Sequence, residues 1–223
     1  MRKLLIALIG TITLTACTNE AYQTGDSALS YLTTEFVEAH TNGDAIITYG
    51  ITDKGDSIPF SKPIKPSWAK QPDSLYRCLL FYKNQDIAKQ VIILSRLSVL
   101  RIGLPHDEDA VHATDPLGFE SGWVSENKKY LNLCVAIKTS KPNEDGTRHQ
   151  LSVVCNDVKQ FSGGTKTYYL ELKHNRNNIS EYYTQKVYLS IPIHYIEAGS
   201  TIKMNINTYQ GVIEKEFRLS VAK

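Results

Sequence analysis

The run YLNLCVAIK, Tyr130 to Lys138, decides the fold class. In an extended chain side chains alternate, so Leu131, Leu133, Val135 and Ile137 share one face and Cys134 points to the other. HQLSVVC, His149 to Cys155, reads the same way, with Leu151, Val153 and Cys155 on one face. If both aliphatic faces enter one core, Cys134 and Cys155 lie on opposite sides of a sheet. A bridge between them is then excluded unless a bulge reverses the phase. Five further runs, ESGWVSE, TKTYYLELKH, YYTQKVYLSIPI, STIKMNINTY and GVIEKEFRLS, complete seven between Glu120 and Ser220. NEDG, SGG and NRNN supply turn chemistry between them. Seven short strands in about 100 residues predict an antiparallel, immunoglobulin-like β-sandwich over residues 120–223. The Cys…Trp…Cys pattern of antibody domains is missing, so only the architecture carries over.

Toward the N-terminus the same pattern continues. SYLTTEFVEAH (Ser30–His40), AIITYGIT (Ala45–Thr52), SIPF, SLYRCLLFYK (Ser74–Lys83) and QVIILSRLSVLRI (Gln90–Ile102) are five more β-rich runs. Asn42-Gly43 and Asp53-Lys54-Gly55-Asp56 punctuate them. A small OB-like barrel is predicted over residues 30–102, so the chain is read as all-β throughout. The Pro-rich stretch SKPIKPSWAKQPD holds Trp68, expected to fold back over one barrel end, with presentation as a binding knob as the alternative. Residues 103–119, GLPHDEDAVHATDPLGF, read as an interdomain linker. Its His106, Asp107, Glu108, Asp109 and His112 are ligand types for a metal such as zinc, but a solvated linker lacks the rigid surroundings such a site needs, and no metal is assigned.

The first seventeen residues have a different character. Arg2 and Lys3 precede the apolar run Leu4–Leu14, which is shorter than the roughly 20 residues a membrane span needs. It fits the core of a secretion signal. Leu14-Thr15-Ala16-Cys17 looks like a bacterial lipobox, which implies cleavage before Cys17 and acylation of that residue. More than one chain makes such an anchor stable. Residues 18–29 are then a tether, and the expected address is the outer membrane of the cell envelope, with the periplasmic and surface faces both open. Without Arg2 and Lys3, 23 basic residues face 23 acidic ones, which gives no basic surplus for a nucleic-acid partner. Of four cysteines, lipidation uses Cys17 and leaves three, an odd number for a disulfide framework.

GWVSENKKYLNLCVAI, RHQLSVV, YYLELKHNRNN and YLSIPI together resemble the NigD-like lipoproteins of Bacteroidota, and DKGDSIPF and LSVLRI extend the resemblance into the first half. The strongest pieces are YLNL, His149 in HQLSVV, LKHN and SIPI. The resemblance implies a lipidated cysteine, an OB-like first domain and a sandwich second domain. It carries no assigned reaction or ligand, and only the family's name points to bacteriocin biology. Such an origin also suggests O-glycosylation where Asp-Ser precedes an aliphatic residue, at Ser27, Ser57 and Ser74, with turn chemistry as the other reading.

Catalytic motifs are absent: there is no His-Glu-x-x-His and no Gly-x-Ser-x-Gly. Gly163-Gly164-Thr165-Lys166 lacks P-loop spacing. His149 and Cys155 are separated by about 20 Å of extended chain and cannot form a nucleophile–base pair alone. His174 and Asn175, with the Asn-rich stretch that follows, are a candidate ligand-binding loop or a tight turn. Alternation in TYYLELK and YYTQKVYLSI places Tyr169, Tyr182 and Tyr188 outside the core. Folding these runs as a hairpin about NRNN sets Tyr169 near Tyr188. Such aromatics suit a glycan or protein partner, or packing against the first domain. The sequence thus predicts a non-enzymatic, cofactor-free, lipid-anchored envelope protein with a binding or structural role. Its partners are the bilayer, through Cys17, and a glycan or envelope protein. The alternative is a bacteriocin-associated protective lipoprotein.

Overall fold

Leu131, Leu133, Val135 and Ile137 do share a buried face, on a ten-residue strand at the centre of a sandwich. The computed structural model describes residues 32–83, 89–105, 111–141, 146–161 and 164–220, which form fourteen strands and no helix. Cys17, Ser27, the tether and His106–Asp109 lie outside the described residues.

The first five strands are β1 (Leu32–Thr41), β2 (Ile47–Thr52), β3 (Ser57–Ile64), β4 (Leu75–Lys83) and β5 (Gln90–Arg96), in the order β3-β2-β1-β4-β5. Every neighbouring pair is antiparallel, and the turns form where the sequence predicts them. The Asn42 carboxamide oxygen accepts the Asp44 and Ile46 N–H groups at 3.0 and 2.9 Å. The Thr52 hydroxyl oxygen accepts those of Lys54 and Asp56, and Gly55 takes φ +95°, which a side chain would oppose. The sheet curls until its two outer strands meet at a parallel bridge between Phe60 and Lys89. Its concave face buries Val37, Ala39, Ile47, Cys78, Leu80 and Tyr82. β3 runs on past SIPF to Ile64, and its prolines are tolerated because it is an outer strand.

The seven expected runs of the second half each form a strand: β8 (Gly118–Val124), β9 (Tyr130–Thr139), β10 (Gln150–Gln160), β11 (Lys166–Asn175), β12 (Tyr183–Pro192), β13 (Thr201–Thr208) and β14 (Gly211–Arg218). Two short strands, β6 (Ser98–Val99) and β7 (Ile102–Gly103), join them. One sheet runs β6-β12-β9-β8 and the other β14-β13-β11-β10-β7, around a core of Leu133, Leu170, Leu189, Ile202, Met204 and their neighbours.

Three expectations need correction. Gln90–Ile102 is not one strand. It breaks at Leu97, whose N–H donates to the Arg77 carbonyl, and the chain then pairs in parallel with β12 and with β10. The end of the first β group thus edges both sheets of the sandwich. Residues 113–117 of the expected linker are laid against the sandwich: Asp115 N–H donates to the His174 carbonyl, Leu117 N–H to that of Asn207, and Leu117 is fully buried. Finally, β11 and β12 do not form a hairpin. They belong to opposite sheets, so the NRNN turn carries the chain across the sandwich.

Candidate functional site

The outer face of the curled sheet rests on the outer face of β9 and β12 through a polar clasp. Alternation along β4 sends Cys78 and Leu80 into the first core and Arg77 to the other side, where its side chain is 1% exposed. Its guanidinium forms two parallel contacts of 2.7 Å with the carboxylate of Asp53, from the β2–β3 turn. It also donates to the Ser190 hydroxyl at 3.1 Å and to the Asn132 carboxamide oxygen at 3.2 Å. Ser190 donates in turn to that same oxygen at 2.8 Å, and the Asn132 amide donates to Asp53 at 2.9 Å. The guanidinium carbon lies 4.1 Å from the Tyr130 ring centre. Phe36 of β1 meets Trp123 and Tyr188 edge-on at 5.3 and 5.8 Å. A second tie joins buried Glu38 to Lys129 and to the Tyr130 hydroxyl, at 2.8 and 2.9 Å. Burial first, and then the Glu38 carboxylate, push the Tyr130 phenol well above its ordinary range, so it stays a donor.

A cleft of about 760 Å³ opens beside this clasp, within the usual size of ligand sites. Arg77 and Tyr130 form its inner wall, with Tyr76, Arg96, Arg101 and the edge strand β6 around it. The Arg96 guanidinium sits 5.5 Å from the Tyr76 ring centre. Among the described residues neither Arg96 nor Arg101 has an ion-pair partner, and the lining carries no carboxylate. The cleft therefore offers positive charge, aromatic faces and a strand edge. The thiols lie elsewhere as poor nucleophiles: burial pushes Cys78 up to about 12 and raises Cys134 and Cys155 as well.

Two histidines meet at the far end of the sandwich. His174 Nδ1 faces the Asp115 carbonyl at 3.2 Å and must donate to it, so in the neutral ring Nε2 is the acceptor. His149 Nδ1 then donates to that atom across 3.0 Å, and His149 Nε2 accepts from the Thr139 hydroxyl at 3.0 Å. Burial lowers the pKa of both rings. His149 is lowered further by His174 and Arg176, while Asp115 pulls both partly back. A histidine held below its ordinary value of 6.5 stabilises the fold fully above that pH. The contribution is lost as pH falls from there through the lowered folded value. Thermal melts should therefore fall between pH 7 and pH 5, and a His149→Gln/His174→Gln double variant should melt with a flatter pH profile. An equal slope in both proteins would show that the pair does not titrate with unfolding.

The sequence-predicted residues scatter around this framework. Trp68 is half-buried and packs against the first core, 5.5 Å from the Tyr76 ring. Tyr169 is half-buried on β11 beneath Lys159, whose ammonium lies 5.0 Å from the ring centre. Tyr188 is half-buried on the opposite sheet, across from Cys134 and against Phe36, so the expected Tyr169–Tyr188 pair does not exist. Tyr182 alone of the three stands free, 84% exposed. His174 is buried, not at a loop tip. The Asn175 side chain accepts the Asn177 N–H at 2.8 Å, the local bond of a tight turn. Ser57 is exposed at the start of β3, whereas the Ser74 hydroxyl donates to the Pro72 carbonyl. Cys155 faces the sandwich core and Cys134 the outer side of the other sheet. The one bulge in β10 falls after Cys155 and leaves its phase intact.

Arg77, Arg96 and Arg101 went unnoticed in the sequence. Arg77 had a signal, a lone charge inside the apolar run LYRCLLFY. Arg96 and Arg101 had none, because only the break at Leu97 brings them to one cleft.

A family model described as a NigD-like C-terminal beta sandwich domain matches residues 102–219. Among solved structures, a NigD-like immunity protein from Bacteroides caccae is 24% identical, with 82% of this chain and 91% of that one covered at a TM-score of 0.64. A Parabacteroides distasonis protein described as toxin-related is 16% identical, with 83% and 91% covered and a TM-score of 0.62. A Bacteroides fragilis protein described as a lipoprotein is 12% identical, with 86% and 99% covered and a TM-score of 0.59. At these identities the likeness is one of fold. No curated protein matches the chain.

Proposed function

Because the chain belongs to the NigD-like family through its C-terminal β-sandwich domain, we propose that it is a non-enzymatic, lipid-anchored envelope protein that binds a partner. The observation that carries this reading is the arginine cleft. It sets two guanidiniums without ion-pair partners beside aromatic rings, and its lining has no imidazole, thiol or carboxylate to serve as a general base or strong nucleophile. Tyr169 and Tyr188 lie on opposite sheets and form no paired aromatic platform for a glycan, which supports the cleft as the recognition surface.

Cys17 is the proposed tether. Wild-type protein should fractionate with membranes and Cys17→Ser with the soluble envelope contents, and a variant that stays with the membranes would sink the anchor.

The likeness to a NigD-like immunity protein from Bacteroides caccae favours a second reading, protection against a bacteriocin. A deletion strain should then become sensitive to bacteriocin-containing supernatants of neighbouring strains. Wild type should restore protection and an Arg96→Glu/Arg101→Glu double variant should not. Unchanged sensitivity on deletion would sink the protective reading. Turnover of a substrate by the purified protein would overturn the non-enzymatic one.

A further inference from the structure

We propose that the cleft takes an extended acidic segment of a protein partner, added as a strand along the open edge of β6. The inference rests on the reading that the protein binds its partner in this cleft, and it names the chemistry of that partner.

The backbone argument starts from pairing. β6 is the outer strand of its sheet, with β12 on one side only. In a parallel ladder alternate residues turn their N–H and C=O to opposite edges. The bridge pairs Ser190 with Val99, and Leu100 N–H donates to the Ser190 carbonyl at 3.0 Å. The peptide groups flanking Ser190 are therefore those of Ser98 and Leu100, which leaves the N–H and C=O of Val99 facing outward. Val99 is 43% exposed. Exposed edges of this kind accept an added strand, main chain to main chain.

Side chains specify which strand. Arg96 and Arg101 flank Val99 in the chain and both line the cleft, with no carboxylate among the lining residues. A guanidinium prefers a carboxylate in bidentate geometry. Leu75 and Val99, both well exposed, offer apolar contact between the charges. Alternate side chains of an added strand point the same way, so a segment alternating acidic and apolar residues suits the cleft. Arginines also guard an edge against unwanted pairing, and the experiment separates guarding from recruitment.

The full lipidated chain in detergent would be titrated into a fluorescein-labelled hexapeptide alternating glutamate and valine, read by anisotropy at physiological salt. Three comparisons accompany it: the glutamine counterpart, the same peptide with alternate backbone nitrogens methylated, and the Arg96→Glu/Arg101→Glu protein with its melting temperature checked. Each should bind at least about tenfold more weakly than the parent pair, as expected for lost charge-assisted hydrogen bonds. Equal binding of the methylated peptide overturns strand addition. A heparin-derived sulfated oligosaccharide that binds through the same arginines while the acidic peptide does not overturns the partner class. Silence from every probe overturns the proposal and leaves the arginines as edge guards. The broader reading stands or falls separately, on whether the double variant loses protection in the complemented strain.

Discussion

Arg77→Ala is expected to lower the free energy of unfolding by about 3–5 kcal/mol, the usual cost of removing one partner from a buried ion pair. Attraction between Arg77 and Asp53 is not the main reason, because desolvation offsets much of it. The loss comes from what the substitution leaves behind. The Asp53 carboxylate, its side chain 14% exposed, loses its guanidinium partner, and the Ser190 and Asn132 oxygens lose a donor. Tyr130 and Phe36 lose the cation between them. Substituting both charges should cost much less: an Arg77→Met/Asp53→Leu protein removes the stranded carboxylate, while Ser190 and Asn132 still bond each other. Denaturant unfolding of the three proteins checks both statements. A loss below about 1 kcal/mol for Arg77→Ala would place the pair among solvated surface bridges.

The clasp also explains what the sequence motifs hold. DKGDSIPF contributes Asp53, YLNL contributes Tyr130 and Asn132, and SIPI contributes Ser190. His149 and His174, in HQLSVV and LKHN, are the two halves of the imidazole pair. Tyr130, Asn132, His174 and Ser190 sit on strands, Asp53 in a turn and His149 just before β10, and their partners lie far off in sequence. Periodicity cannot find such partners. It fixes which side of a strand a residue occupies, so Leu131 and Leu133, or Leu170 and Leu172, were legible as core. It does not fix which sheet a strand joins. Hence the expected Tyr169–Tyr188 pairing fails, and Gln90–Ile102 reads as one strand although its pairing partners change at Leu97. A run of β-rich residues stays extended through such a change, and nothing in its composition marks the exchange. The cleft arises from that exchange, so its arginines looked like ordinary surface charge.

Leu133→Ala and Leu80→Ala should each cost about 2–5 kcal/mol, because both side chains are fully buried and truncation leaves a cavity. The more informative result is the shape of the transition. Leu80 belongs to the core of the curled sheet and Leu133 to that of the sandwich, and the two clusters share no residue. Apolar packing alone would let them melt apart. The clasp opposes this, since separating the two sides parts Arg77 and Asp53 from Ser190 and Asn132, and Glu38 from Lys129 and Tyr130. The Leu97 junction opposes it too, because the chain leaving β5 enters the sandwich sheets directly. Both single variants should therefore shift the denaturation midpoint with an unchanged slope, as one cooperative unit does. In an Arg77→Ala background the coupling is weakened, and Leu80→Ala should then split the curve, with the curled sheet lost first. A split already present for Leu80→Ala alone would mean that the two cores are joined by chain connectivity and not by the clasp.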